Sequence, residues 1–234
     1  MELEEKVENY REGKMILIDK PLNWTSFDVV NKIRWVLRST LKIKKLKVGH
    51  AGTLDPLATG LLIICTGKFT KIIEQIQDSS KEYVARIALG ATTPSYDMET
   101  EMDEEFTTSH INKELVESTL KTFLGKQNQL PPIFSAKKID GKPAYDYARK
   151  NQEVIMKPKE ITFHAIQLEK YEPKELIIRI KCSKGTYIRS FAYDLGKALK
   201  SGAYLAGLER TKIGSFELEN AWDLTNYIEK IKTM

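Results

Sequence analysis

The sequence has few cysteines and no long apolar run. Its two cysteines, Cys65 and Cys182, lie within short apolar runs, and neither has a Cys or His neighbour at the spacing of metal ligands. We therefore expect two core thiols in a reducing compartment, without a disulfide framework or a zinc site. No apolar run approaches the roughly 18 residues that a membrane span requires, and residues 1–6 lack the apolar stretch of a secretion signal. These absences predict a cytoplasmic protein that has no contact with membranes.

Motifs for nucleotide cofactors are also missing. The chain has neither the phosphate loop of P-loop proteins nor the dinucleotide-binding fingerprint. We expect its chemistry to need no metal ion and no nucleotide cofactor. The 234 residues contain no linker, repeat or low-complexity segment, so we expect one α+β domain over residues 1–234. We also expect the protein to be a monomer.

Acidic residues are absent from one stretch that is rich in basic ones. There is no Asp or Glu between Val29 and Leu54, while seven basic residues fall there: Lys32, Arg34, Arg38, Lys42, Lys44, Lys45 and Lys47. The net charge of the whole chain is only +5, so this clustering is more informative than the total. Such a run is often a solvated surface. It also suits a polyanionic partner, because Lys and Arg hold phosphates.

A glycine-rich segment, residues 49–62, follows the basic run and contains one carboxylate, Asp55, and one histidine, His50. The ring of Pro56 disfavours a helical conformation for Asp55, so we expect a stiff loop to present its carboxylate. The glycines allow another backbone or a ligand to approach closely, and residues 60–65 predict a buried strand. An Asp before Pro is also a common turn former, and His50 can equally be a surface histidine, so these alternatives stay open.

Hydrophobic periodicity predicts alternating strands and helices along the rest of the chain. Thr25 and Asp28 predict a capping box in front of the first helix, and the acidic residues 96–105 predict an exposed loop. The predicted strands are residues 15–18, 60–65, 81–89, 161–168 and 176–182. The predicted helices cover about 26–37, 69–77, 112–124, 191–199 and 222–231, and residues 130–145 predict a structured loop or hairpin that leads into a short helix at 145–149.

Two residues stand out by their position in this pattern. Tyr83 points the same way as the apolar residues of its strand, which is typical of a core tyrosine. Arg189 lies at a strand-to-helix junction, where binding and catalytic sites are often built. A structural ion pair would explain Arg189 equally well.

Five separated segments of the chain resemble the TruB-type pseudouridine synthases. Residues 50–60, HAGTLDPLATG, are similar to the catalytic motif of that family. The other four matches are residues 18–21 (IDKP), residues 81–83 (KEY), residues 131–149, and residues 184–190 (KGTYIRS). They occur in the order of the family and together span almost the whole chain.

The resemblance implies an isomerase that converts uridine-55 in the T loop of transfer RNA (tRNA) to pseudouridine. It implies an α+β fold, with a mixed, largely antiparallel central sheet flanked by helices and a central active-site cleft. By the same resemblance, Asp55 would be the catalytic nucleophile or base acting on a flipped uridine. Tyr83 would stack on the flipped base and could accept a proton, and Arg189 would pair with Asp55.

The resemblance also implies the residues that bind the substrate. His50 would enter the space vacated by the flipped nucleotide, Tyr187 and Leu208 would line the pocket, and Lys20 is a further substrate-binding candidate. The implied partner is the T stem-loop of tRNA, recognised mainly by shape.

The chain departs from the family at two places. Many relatives carry an Asp where this chain has Pro94, so we expect the polar network around Arg189 to be completed differently. Many relatives also continue into an RNA-binding PUA domain, whereas this chain stops at Met234. We therefore expect weaker or more salt-sensitive RNA binding than that of a longer relative.

Two other functions stay open on the sequence alone. The chain could be a binding module that helps tRNA to fold, with Asp55 in a structural role. It could also hydrolyse a nucleoside and release free uracil, although glycoside hydrolases generally flank the scissile bond with two carboxylates and residues 49–62 supply one.

Overall fold

The computed structural model describes residues 2–135, 138–139, 141–144, 147 and 156–233. The chain separates into two compact units. The first unit consists of residues 1–83 and 209–234, and the second unit consists of residues 84–208. The expectation of one domain over the whole chain stays a prediction.

Helices and strands occur along the whole described chain, with several strands following one another directly. The helices are α1 (Glu2–Glu12), α2 (Ser26–Thr40), α3 (Ile73–Asp78), α4 (Lys113–Thr122), α5 (Ile188–Leu199) and α6 (Leu224–Lys232), with two 3₁₀ turns, Gly67–Ile72 and Leu218–Asn220. The strands are β1 (Met15–Lys20), β2 (Val48–Ala51), β3 (Ala58–Thr66), β4 (Lys81–Leu89), β5 (Ala91–Thr92), β6 (Glu104–Glu105), β7 (Gly125–Gln129), β8 (Lys138–Ile139), β9 (Lys142–Pro143), β10 (Lys159–Glu172), β11 (Glu175–Cys182), β12 (Ala203–Ile213), β13 (Phe216–Glu217) and β14 (Trp222–Asp223).

In the first unit, hydrogen-bonded strands run in the order β14-β1-β3-β12. β1 is antiparallel to β3 and parallel to β14, and β2 adds to the sheet by pairing antiparallel with β3. The apolar face of α2 packs into a core with β1, β3 and α6. The predicted capping box starts α2, because the Thr25 side chain accepts from the Asp28 backbone while Asp28 accepts from the Thr25 backbone.

In the second unit, the strand order is β12-β4-β11-β10-β7, and β4 and β12 contribute residues to both units. β10 pairs antiparallel with β11 and with β7. Alternate residues of β4, among them Tyr83 and Ala85, are buried, as the two-residue period predicts. The α+β class and the mixed, mostly antiparallel sheet flanked by helices are therefore confirmed, while the central cleft stays a prediction.

Two of the predicted helices begin later than expected. Residues 222–231 were expected to be helical throughout, but Trp222 and Asp223 form a strand that pairs with β1. The Asp223 side chain accepts from the Asn226 backbone at 2.9 Å and so caps α6, which cannot begin before it. Within residues 69–77, the chain first forms a 3₁₀ turn, and α-helix begins only at Ile73.

The expectation of an exposed loop over residues 96–105 is wrong at both ends: its first two residues are covered by other side chains, and its last two, Glu104 and Glu105, form strand β6. Tyr96 stacks on Tyr193 with 4.1 Å between ring centroids, and Asp97 is buried. Tertiary contacts cover these two side chains in spite of the acidic composition, because Tyr96 packs on an aromatic ring and Asp97 lies next to the cation of Arg189.

The hairpin expected within residues 130–145 is present as β8 and β9. The helix expected at residues 145–149 lies mostly outside the described residues. In the described ranges, no helix combines the length and apolar composition needed to cross a bilayer.

Candidate active site

The loop that carries Asp55, residues 52–57, connects β2 to β3 and is called the Asp55 loop below. Its turn closes where the backbone amide of Ala58 donates to the carbonyl of Asp55 at 3.1 Å. The Asp55 side chain is half-buried. The sequence-based prediction of a loop in front of a buried strand is thus confirmed.

A buried arginine on β12, Arg210, fixes the start of the Asp55 loop. Its guanidinium donates to the carbonyls of Leu61 at 2.8 Å, Gly52 at 3.0 Å and Thr53 at 3.3 Å. Only 1% of Arg210 is exposed. Burial lowers the pKa of Arg210, and a hydrogen bond to the Tyr83 side chain acts in the opposite direction. One guanidinium therefore connects the Asp55 loop, β3 and Tyr83.

Gly60 allows β12 to come this close to β3. It has a φ of +99°, and a Cβ built on it would lie 2.5 Å from the carbonyl oxygen of Arg210. No side chain fits at that distance without a shift of the backbone. The expectation that the glycines of this segment permit close approach of another backbone is confirmed at Gly60.

Two other buried side chains hold the rest of the loop. The Ser26 hydroxyl donates to the carbonyl of Leu54 at 3.1 Å and accepts from its amide at 2.8 Å. The ammonium of Lys20 donates to the carbonyls of Trp24 at 2.6 Å, Pro21 at 2.9 Å and Pro56 at 3.5 Å. Both neighbours of Asp55 in the chain are therefore fixed by groups outside the loop.

Lys20 also places a charge near the candidate catalytic group. Burial lowers the pKa of Lys20 from 10.5 to about 8, while the negative charge of Asp55 raises it. Lys20 is completely buried, so its ammonium contacts the Asp55 loop on the side that faces the protein interior. The structure therefore gives Lys20 a role in supporting the loop, and direct contact with substrate stays a prediction.

His50 lies on β2, where it is opposite Ile64 of β3. Its ring is half-buried, and Nδ1 has no hydrogen-bond partner among the residues that the structure describes. Burial lowers the pKa of His50, a hydrogen bond with the Gly52 backbone raises it, and the charge of Arg210 lowers it; the net effect is a lowered pKa, so the neutral ring is favoured. Nδ1 is itself buried, so contact of His50 with a nucleotide stays a prediction.

In the second unit, Arg189 is the second residue of α5 and is buried with Asp97. The guanidinium of Arg189 lies 3.5 Å from the Asp97 carboxylate and donates to the carbonyl of Ser95 at 3.4 Å. The other carboxylate oxygen of Asp97 accepts from the Glu99 backbone at 2.9 Å. Asp97 therefore supplies an anion for Arg189 three residues after Pro94. The sequence did not reveal this pair, because Asp97 belongs to an acidic run that looks exposed.

Tyr187 precedes α5, and its backbone is held by the side-chain amide of Gln129. That amide accepts from the Tyr187 nitrogen at 2.8 Å and donates to its carbonyl at 3.0 Å. Leu208 lies half-buried on β12. Both candidate pocket residues are thus on rigid backbone of the second unit.

The structure groups the candidate residues into two sets. Asp55, Tyr83, Lys20 and His50 belong to the first unit, together with Arg210, while Arg189, Tyr187 and Leu208 belong to the second. The pairing of Arg189 with Asp55 stays a prediction. In the part of the chain that the structure describes, no cluster of three or more His, Cys, Asp or Glu side chains could hold a metal ion.

A family model, curated relatives and solved structures all point to the same family. Residues 38–188 match the model of the TruB family pseudouridylate synthase, N-terminal domain. A tRNA pseudouridine synthase B of Bacteroides fragilis is 56% identical over 223 residues, which cover 95% of this chain and 96% of that protein. One from Flavobacterium johnsoniae is 51% identical over 226 residues, covering 96% and 99%.

Solved structures share the fold. The chain is similar to one in the crystal structure of a Cbf5-Nop10-Gar1 complex, with a TM-score of 0.72 and 26% identity. The similarity covers 95% of this chain and 55% of the other. A chain of the archaeal box H/ACA sRNP Nop10-Cbf5 complex gives a TM-score of 0.69 at 23% identity, which supports the fold alone.

Proposed function

We propose, since the chain belongs to the TruB family of pseudouridylate synthases, that this isomerase converts uridine-55 in the T loop of tRNA to pseudouridine, with Asp55 as nucleophile or base. Relatives named tRNA pseudouridine synthase B match nearly the full length of the chain, which supports tRNA as the substrate class. The choice of uridine-55 and the role of Asp55 go beyond those matches.

One observation carries the proposal: Arg210 ties the Asp55 loop to Tyr83. The same guanidinium donates to the carbonyls of Gly52 and Thr53 and hydrogen-bonds the Tyr83 side chain. A reacting carboxylate must be held within a fraction of an ångström, and fixed backbone on both sides of Asp55 provides that. A turn-forming Asp would not need a buried cation on each side of its loop.

The isomerisation exchanges one bond for another without a cofactor. The bond between N1 of uracil and C1′ of ribose breaks, the base turns, and a bond between C5 and C1′ forms. The proton on C5 leaves, and N1 gains a proton, so atoms and electrons balance. In our proposal Asp55 acts at the sugar or the base, and Tyr83 stacks on the flipped ring and accepts the proton.

The remaining candidates bind and position the nucleotide in our proposal. Arg189, itself held by Asp97, would orient Asp55. Tyr187 and Leu208 would line the pocket, and His50 would replace the flipped nucleotide in the T loop. The cytoplasmic location, the monomeric state and the independence from cofactors remain predictions.

A single incubation separates this proposal from its alternatives. The purified protein is mixed with a T stem-loop transcript, and the RNA is then digested to nucleosides and analysed by mass spectrometry with chromatography. We expect pseudouridine among the nucleosides and no change in the mass of the RNA, and a transcript with cytidine at position 55 should give no pseudouridine. Release of free uracil would indicate a hydrolase, and unchanged RNA that remains bound would indicate a binding module.

A further inference from the structure

The outer face of α2 exposes two large aromatic side chains. Trp35 is 64% exposed and Phe27 is 60% exposed, although tryptophan is usually mostly covered in folded proteins. They are eight residues apart, so they lie on the same side of the helix, about 12 Å from each other along its axis. Trp35 has a cation beside it, since the Lys32 ammonium lies 5.8 Å from its ring centroid.

Basic side chains surround Trp35 on this face. A concavity of about 540 Å³ is lined by Arg34, Arg38, Lys44, Lys45, Leu46 and Lys47. A neighbouring concavity of about 280 Å³ is lined by Trp35, Arg38, Ser39 and Ile43. Because Arg38 lines both, the aromatic ring and the basic concavity form one continuous feature. We call Arg34, Trp35, Arg38, Lys44, Lys45 and Lys47 the α2 basic surface.

The lysines of this surface stand on a fixed backbone. Leu41, Ile43 and Leu46 are buried in the core of the first unit, and the lysines between and beside them are exposed. The Ile43 amide donates to the carbonyl of Arg38 at 3.1 Å, and the Lys47 carbonyl accepts from Gly67 at 2.9 Å. The segment is therefore a shaped surface that pre-positions its charges, which differs from a flexible basic tail.

The cations of the α2 basic surface have no acidic partner in the part of the chain that the structure describes. Among the residues that the structure describes, none of the five cations of the α2 basic surface is in an ion pair. Arg34 instead donates to the side chain of Asn31. Lone cations held close together repel each other, so a polyanion that neutralises them binds favourably.

We propose that the α2 basic surface binds a strand of the tRNA, with phosphates in the concavity and one unpaired base stacked on Trp35. This rests on the proposed function, because it takes tRNA as the substrate. Combined cations and exposed aromatic rings are the typical way in which proteins hold single-stranded nucleic acid. The surface contributes affinity and does not take part in bond rearrangement.

The test compares binding and catalysis with a full-length, unmodified tRNA transcript. In the double variant Arg34→Ala/Arg38→Ala, we expect affinity to fall about 10- to 30-fold at 0.15 M salt, and the slope of log affinity against log salt to become shallower by about 1.8. In Trp35→Ala, affinity should fall about 5- to 150-fold with an unchanged slope, and Trp35→Phe should restore most of it. The single-turnover rate constant at saturating enzyme should stay at the wild-type value in all three.

Matched controls come from other exposed positions. Lys230→Ala/Lys232→Ala removes two cations from the end of α6, and Trp222→Ala removes another exposed tryptophan. We expect both controls to bind tRNA with wild-type affinity and slope.

The inference is overturned if the arginine variant binds within twofold of wild type with an unchanged slope. It is also overturned if binding of anionic vesicles is lost while tRNA binding is kept, since the surface would then be a membrane contact. These outcomes can be distinguished from failure of the proposed function, in which case the wild-type protein itself would form no pseudouridine.

Discussion

Replacing Arg210 by Met tests whether a buried cation positions the Asp55 loop. The substitution removes the charged donor from three carbonyls, those of Leu61, Gly52 and Thr53. A buried acceptor left unsatisfied costs about 1–3 kcal/mol. Thr53 is exposed and can bond to water instead, so two acceptors contribute fully. Relief of burying a charge offsets part of this, and we expect a net loss of about 2–4 kcal/mol in the free energy of unfolding.

The catalytic effect should be larger than the loss of stability suggests. Once its start is released, the Asp55 loop can move by about 1 Å, and displacement of that size costs about 100-fold in rate. The assay is single-turnover pseudouridine formation at saturating enzyme, together with tRNA affinity and urea unfolding. We expect the rate constant of Arg210→Met to fall about 100-fold while affinity changes less than threefold.

Arg86→Met is the matched control for this prediction. Arg86 lies on β4 and donates to the carbonyl of Ala206 at 2.9 Å, with Glu175 3.6 Å away, and it is largely exposed. We expect its rate constant to stay at the wild-type value. A wild-type rate in folded Arg210→Met would refute the positioning role, and so would a rate loss that disappears on cooling, since unfolding alone would then explain it.

Three further predictions concern single side chains. Burial lowers the pKa of Lys20 to about 8, so between pH 8 and about 10.5 the unfolded chain binds more protons than the folded chain. The free energy of unfolding should therefore rise with pH in the wild type but not in Lys20→Met. Urea unfolding at pH 7.5 and 10 measures this, and parallel changes in the two proteins would contradict it. Asp97→Asn should lose about 3 kcal/mol of unfolding free energy, because it removes the carboxylate that lies 3.5 Å from the buried Arg189 guanidinium. A loss below about 1 kcal/mol would show that Arg189 does not depend on Asp97. Gly60→Ala should lose at least about 2 kcal/mol of unfolding free energy, because its Cβ would clash with the β12 backbone. Gly125 also has a positive φ but open space around it, so Gly125→Ala should lose only about 1 kcal/mol. Equal losses in the two variants would exclude the steric explanation.

Local sequence patterns were sufficient for most individual elements. The capping box at Thr25, the alternation in β4 and the buried run of β3 each follow from residues that are close together in the chain. The Asp55 loop was also predictable, because Pro56 and the glycines restrict its backbone. Helix starts were less predictable at residues 67–73 and 222–224, where a 3₁₀ turn and a strand replaced the expected first turns.

The supporting residues of the site could not be read from the sequence. Arg210 is 155 residues away from Asp55 in the chain, and only the pairing of strands brings its guanidinium to the loop. Asp97 belongs to a run of acidic residues that is typical of a solvated surface, and only the structure shows its buried partner, Arg189. In both cases the contact joins distant segments, so neither periodicity nor composition reports it.

The most direct test of the catalytic role of Asp55 is the substitution Asp55→Asn, which keeps the shape of the side chain and removes its charge. The measurement is pseudouridine formation and tRNA affinity in the same preparation, with Glu101→Gln as a control that neutralises an exposed carboxylate. We predict that Asp55→Asn binds tRNA within threefold of wild type and forms no detectable pseudouridine, while the control is fully active. Product formation by Asp55→Asn within twofold of the wild-type rate would contradict the role that we assign to this carboxylate.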